Sequence, residues 1–340
     1  GSPLFTGAAG SGESEIRRWI IENDWLEAVV ALPDQLFYNT GISTYFWVVT
    51  NRKDPERRGK VQLIDARNCF VKMRKSLGEK RKQISDHQIA DIVRAYGEFT
   101  EVNGGSADDN GGDPKPSVKI FPNEAFGFLR ITVERPLRLR WEVTDEGVEA
   151  LRADKKFAKL TEDDQNSIIA DLGHSIRSHE TDHELRDLAK TALQRADVDA
   201  KKPLVDAIVD AFAIRDPDAD PVTDSKGNVQ PDPDLRDNEN VPLPAKPVTY
   251  EADVDGRLQS IEYRSAIDDY MTAEVHPYVP DAWVDHDKTK IGYEIPLTRH
   301  FYKYVPPRPL EEIDTELEAL EDEIQRLLNE IQQRMESTAK

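Results

Sequence analysis

Two short stretches of this sequence set residue types at spacings that support chemistry, and one longer window has the charge to hold a polyanion. The pentapeptide HETDH, His179–His183, matches the H-E-x-x-H pattern of zinc peptidases. On a helix its two histidines would share a face and bind zinc, with Glu180 as the base. The flanks IRS and ELRD are polar, whereas a catalytic zinc helix is buried beside its site, and His174 stands at no ligand spacing. Exposed helix surface is the better reading, and no metal is expected. The stretch GAAGSGESEIRRWIIEND, 7–24, is a glycine-rich loop running into an amphipathic helix, whose N-terminal amides suit phosphate. Gly10-x-Gly12-x-x-Glu15 keeps two of the three glycines of a dinucleotide fingerprint, without the preceding strand or a P-loop lysine. No nucleotide site is expected there. The window Arg52 to Lys82 holds twelve Lys and Arg against four acids, a local excess of eight positive charges. Such a stripe can face phosphates, although on composition alone a solvated loop and helix face is the favoured account.

Composition narrows the setting. A net charge of −20 over 340 residues argues against a chain that coats nucleic acid with its whole surface. Hydrophobic content of 38% with 32% charged residues describes a polar, foldable chain of two or three domains. There is no apolar run of membrane-spanning length and no signal-peptide pattern, so no membrane partner is expected. The single cysteine, Cys69, rules out an internal disulfide and fits a reducing cytosol. No Ser/His/Asp order or CxxC pair stands out, and paired carboxylates carry no weight in so acidic a chain.

The elements follow from periodicity. Residues 13–23 read as a helix, WLEAVVALP as a buried strand stopped by Pro33, and STYFWVVT as a second strand. The link between these strands is too short for a crossover helix, which predicts an antiparallel pair. KVQLIDA, 60–66, is a third strand, and Ser85-x-x-Gln88 is a capping box opening a helix. Residues 100–117 read as a Gly/Asp/Pro linker, 118–143 as a small antiparallel sheet, and 145–213 as mostly polar helices. An acidic, proline-rich linker at 215–247, with a turn around Gly227, separates these from a helix near 257–274 and an irregular aromatic segment, 275–309. The last helix repeats Leu310, Ile313, Leu317, Leu320, Ile324, Leu327 and Ile331 at alternating steps of three and four, a heptad seam. From 311 to 336 it carries ten acids and only Arg326 and Arg334 as bases, so a partner helix with basic flanks suits it better than a copy of itself. Folding back on its own domain would also cover the seam.

The stretch NDWLEAVVALPDQLFYNTGISTYFWVVTNRK, with RRGKVQLIDAR after it, resembles the methylation subunit of type I restriction–modification systems, an adenine-specific DNA methyltransferase. FGFLRITVERPLRL, DPDLRDNENVPL and IGYEIPLTRHFYKYVPPRPLEEI continue the resemblance, which is weakest over 145–213. It implies an α/β fold: the C-terminal part of a Rossmann-like methyltransferase sheet over 1–99, then a mixed α+β and helical region, then the heptad helix. The implied boundaries are a linker at 100–117, a sheet-plus-helix region at 118–214, a linker at 215–247, an aromatic segment at 248–309 and a docking helix at 310–336.

The resemblance also implies methyl transfer from S-adenosylmethionine to adenine N6 in DNA. The family's cofactor loop and its Asn-Pro-Pro-Phe/Tyr tetrapeptide are not found here, and the only adjacent prolines are Pro306 and Pro307. Methyl transfer by this chain alone is therefore not expected. Residues 2–19 correspond to the loop and helix after the family's fifth sheet strand. Related enzymes stack an aromatic side chain from between the two strands on the flipped base. Phe37 takes that position, with Tyr38 as the fallback; an ordinary strand-end aromatic is the alternative. Lys72, Arg74, Lys75, Lys80, Arg81 and Lys82 become the candidate phosphate contacts. The implied partners are a specificity subunit docked on the heptad helix, a second methylation subunit, a restriction subunit and DNA, in the cytoplasm of a bacterium or archaeon. A non-catalytic assembly module that docks the specificity subunit is the alternative function.

Overall fold

The computed structural model describes residues 5–104, 114–176, 181–224, 226–302, 304 and 306–338, with side chains as far as Leu328. They belong to two compact units, Gly1–Ile295 and Pro296–Lys340. In the first unit, α1 (Gly12–Glu22) is capped by Ser11, whose side chain accepts from the Ser14 N–H, with Glu13 and Glu15 in its first turn. β1 (Leu26–Ala31) and β2 (Tyr45–Val49) are antiparallel, as their short link requires, and β3 (Lys60–Asp65) lies parallel to β1. All of β1 is buried, as expected of an apolar run covered on both faces. Residues 71–83 form a hairpin of their own, β4 (Val71–Leu77) with β5 (Lys80–Gln83), and not a loop and helix face. The Ser85/Gln88 capping box opens α2 (Asp86–Glu98), which lays Ile92, Ala95 and Tyr96 against Val30, Ile64 and Val118. Beneath α2, the buried Arg57 donates to the Tyr96 carbonyl and lies 4.4 Å from the Phe99 ring centroid. The Tyr96 hydroxyl donates to Glu27. Desolvation, then that carboxylate, pushes its pKa up to about 12.

Two stretches expected as separate pieces close this sheet and build the next. β6 (Ser117–Pro122) pairs antiparallel with β3, giving the order β2-β1-β3-β6. The region 118–143 is therefore not one sheet. A turn at Asn123–Phe126 redirects the chain into β7 (Gly127–Glu134), the central strand of a second sheet, and β8 (Leu139–Trp141) leaves for a third. α3 (Asp145–Ala153), α4 (Glu162–Ser175), α5 (Asp182–Arg195) and α6 (Lys202–Ala211) close around Leu151, Phe157, Ile168, Leu185 and Ile208. After them β9 (Ala213–Arg215) returns to pair with β8.

The acidic stretch 215–247 is a working part of the second sheet and not a linker. Its β10 (Asp237–Pro242) is an edge strand on β7. Pro221 and Pro231 sit in isolated bridges, outside the regular ladders where a missing N–H would matter. The expected helix near 257–274 is two helices, α7 (Val254–Leu258) and α8 (Ile261–Tyr270), followed by a π-helical turn at Met271–Val275. The expected irregular segment contains β11 (Trp283–Tyr293), on the other side of β7. Within this unit α1 is tied to the later elements by Glu22, whose side chain is fully buried. Glu22 accepts from Arg257 at 2.6 Å, the Tyr293 hydroxyl at 2.8 Å and Arg18 at 3.2 Å. Burial, then the Glu22 charge, raises the Tyr293 pKa and keeps its hydroxyl a donor.

The second unit holds the short α9 (Leu297–His300) and the long α10 (Leu310–Thr338). Leu310, Leu317, Leu320, Ile324 and Leu327 are exposed and Ile313 is half-buried; the Ile331 side chain lies outside the described residues. Among the described residues no helix is long and apolar enough to cross a membrane, and no group of three or more His, Cys, Asp or Glu could hold a metal ion.

Candidate nucleic-acid interface

The link between β1 and β2 is held open by its own chemistry and by the β4–β5 hairpin. Pro33 follows the strand end, Gln35 takes a left-handed backbone, and Phe37 bridges Thr40 across a tight turn. The hairpin docks beside this turn through its backbone. The Glu79 N–H donates to the Tyr38 carbonyl at 3.0 Å, and the Arg81 and Lys82 N–H groups both donate to the Gln35 carbonyl, at 3.0 and 3.2 Å. Between the hairpin strands Gly78 has φ +60°, and a Cβ there would lie 2.6 Å from the Tyr38 carbonyl oxygen. Only glycine meets both demands.

This docking brings together residues that the sequence offered separately. Phe37 is 48% exposed and Tyr38 64% exposed, so neither is a strand-end plug. Lys72, Arg74, Lys75 and Arg81 are exposed on the hairpin beside them. Lys80 and Lys82 are half-buried and turn toward the aromatic link. The Lys80 ammonium lies 5.7 Å from the Tyr38 ring centroid, and that of Lys82 lies 4.0 Å from the Phe70 ring centroid and pairs with Asp34. Lys72 stands directly opposite Lys82, a like-charge pairing that costs stability unless an anion is near. At the hairpin base, Arg67 forks onto Asp65 at 2.8 and 2.7 Å, and this hydrogen bonding raises its pKa. The arrangement presents two exposed aromatic rings beside four solvent-facing cations, which suits stacking on bases and pairing with phosphates. Asp34, Gln35 and Gly78 were missed in the sequence; the Leu-Gly-Glu turn between two basic runs was the available signal for the hairpin.

The other motifs are placed differently. Thr181 caps α5, so the helix begins inside HETDH; His183 is exposed, 3.6 Å from Asp187, and His179 and Glu180 lie outside the described residues. The glycine-rich loop is mixed: Ala9 is buried, whereas Ala8, Gly10 and Gly12 are exposed. Gly10 has φ +75° and backs onto the Lys290 side chain, and a Cβ on Gly7 would lie 3.2 Å from Arg17 Nη2.

Residues 3–110 match the N-6 DNA methylase family. Over 95 residues, 28% of this chain and 16% of the relative, the sequence is 37% identical to the type I restriction enzyme MjaVIII methylase subunit of Methanocaldococcus jannaschii. Over 87 residues, 25% of this chain and 19% of the relative, it is 47% identical to the HindI methylase subunit of Haemophilus influenzae. The crystal structure of the type I restriction-modification system methyltransferase subunit from Streptococcus thermophilus aligns at 24% identity over 36% of this chain and 22% of that one, with a TM-score of 0.28. The chain thus spans about a sixth of the length of the curated relatives it matches. Over residues 3–110 this chain is thus similar to the N-6 DNA methylase family, and part of that stretch is similar to a segment of type I restriction enzyme methylase subunits.

Proposed function

We propose that the chain is part of a type I methylation subunit. In the assembled enzyme its link at 33–42 stacks on an adenine drawn out of DNA, while the exposed hairpin cations hold the flanking phosphates. The observation that carries this reading is the exposed Phe37–Tyr38 pair braced by a six-cation hairpin, inside an N-6 DNA methylase segment. The parallel β1–β3 pair flanked by antiparallel strands supports β1 to β3 as end strands of a Rossmann-like sheet. S-adenosylmethionine supplies the methyl group in this reading. The loop at 7–12 has neither the strand before it nor the lysine that a phosphate-binding loop uses, so no step through the cofactor is assigned to these residues. In the assembled methylase, Phe37→Ala is expected to lower methylation about tenfold, the scale of one lost base–aromatic stack, with Tyr38→Ala tested beside it. Replacing Lys72, Arg74, Lys75 and Arg81 with Gln should reduce the salt dependence of DNA binding by roughly one slope unit each. Unchanged methylation in both aromatic variants would remove the stacking role.

The same reading gives α10 a partner, the specificity subunit, around which a second methylation subunit and a restriction subunit gather. Five of its described seam residues, Leu310, Leu317, Leu320, Ile324 and Leu327, are exposed, and its flanks Asp314, Glu316, Glu321 and Glu323 are all acidic. A parallel or antiparallel copy would face acids with acids, whereas a helix with basic flanks meets both needs. Co-purification with the specificity subunit should succeed for the full chain and fail for a chain ending at Pro309. Equal recovery of both would place docking elsewhere.

A further inference from the structure

The hairpin cations divide into two groups by what they touch. Lys72, Arg74, Lys75 and Arg81 meet solvent, but Lys80 and Lys82 are half-buried with their ammonium groups engaged by Tyr38 and by Asp34 and Phe70. Two residues apart on one strand, they project from the same face of β5. The hairpin also donates backbone N–H groups to the Gln35 and Tyr38 carbonyls. The aromatic link is thus gripped at its start, through Asp34 and Gln35, and at its tip, through Tyr38. Lys72 directly opposite Lys82 makes the Asp34 carboxylate the local counter-charge that keeps Lys82 turned inward.

We propose that Lys82, acting through Asp34, and Lys80, acting through Tyr38, are positioning residues that hold the aromatic link in the pose that receives an extruded base. Phosphate engagement by the four exposed cations and base capture by the link are then carried by one rigid piece. The proposal rests on the DNA methylase reading of the same link.

The test uses the assembled methylase and a duplex carrying 2-aminopurine at the target position, whose fluorescence rises when the base leaves the stack. Lys82→Gln and Asp34→Asn should each lower that rise and kcat about fivefold, the scale of one partly buried ion pair. The Kd for DNA and its salt slope should stay unchanged. The exchanged pair, Lys82→Asp with Asp34→Lys, should restore most of the loss, which a phosphate contact would not allow. If Lys82→Gln instead weakens DNA binding, lowers the salt slope by about one unit and is not rescued by the exchange, Lys82 is a phosphate ligand and the proposal is overturned. An Asp34→Asn variant with unaltered fluorescence and kcat overturns it too. Phe37→Ala and Tyr38→Ala, run in parallel, report separately on the stacking role.

Discussion

Gly78→Val should, on the function proposed above, lower methylation by the assembled enzyme about 100-fold, the scale of an ångström-sized displacement at a reacting group. A valine there must leave the left-handed region that the hairpin turn requires, and its Cβ would meet the Tyr38 carbonyl oxygen at 2.6 Å. Neither strain can relax without moving the hairpin off the aromatic link or moving the link itself. The hairpin lies outside the first sheet, which runs β2-β1-β3-β6, so the melting transition should shift far less than activity does. Steady-state methylation and a thermal melt on the same preparation check this. Methylation within about twofold of the unaltered enzyme would show that the link holds its pose without the hairpin.

Glu22→Ala should destabilise the first unit by about 3–5 kcal/mol, the usual cost of removing one partner from a buried ionic cluster. Two guanidinium groups, Arg18 and Arg257, and the Tyr293 hydroxyl would lose the carboxylate that they share. Arg18 keeps Glu15 at 2.8 Å and the Glu251 carbonyl at 3.0 Å, so Arg257 bears the greater loss. In a unit of this size the expected fall in Tm is about 6–10 °C. Calorimetry or a denaturant melt measures it directly. A change below about 1 kcal/mol would mean that the cluster is solvated, like a surface pair.

Legibility in the sequence followed the range of the forces involved. β1, β2, α1 and the cap of α2 were readable because short apolar runs, β-branching, helical periodicity and the Ser85/Gln88 box act within a few residues. β10 was not. DNENVP is a poor strand sequence by composition, and it is extended because β7 offers it a complete ladder. β11 was hidden the same way, since its Asp285–Lys288 stretch reads as loop while the bulged strand continues. At the site, residue types showed the aromatic pair and the basic run. What joins them is backbone hydrogen bonding to the Gln35 and Tyr38 carbonyls, which leaves no trace in side-chain identity. For that reason Gly78 went unread, and Lys80 and Lys82 were grouped with their exposed neighbours as phosphate contacts.

The placement of β7 sets a timetable for the chain as it is made. Thr132 on β7 meets Asn238 across 106 residues of sequence, and Glu134 meets Lys288 across 154. The central strand of its sheet is therefore the first of the three to leave the ribosome. It must wait for both neighbours while α3 to α6, whose contacts are local, collapse between them. Closing loops of that length is slow, and an apolar strand with two vacant edges is what chaperones bind and aggregates recruit. The rate at which the first unit reaches its native state is thus expected to be set by the late arrival of β10 and β11, and not by the sheet at its start.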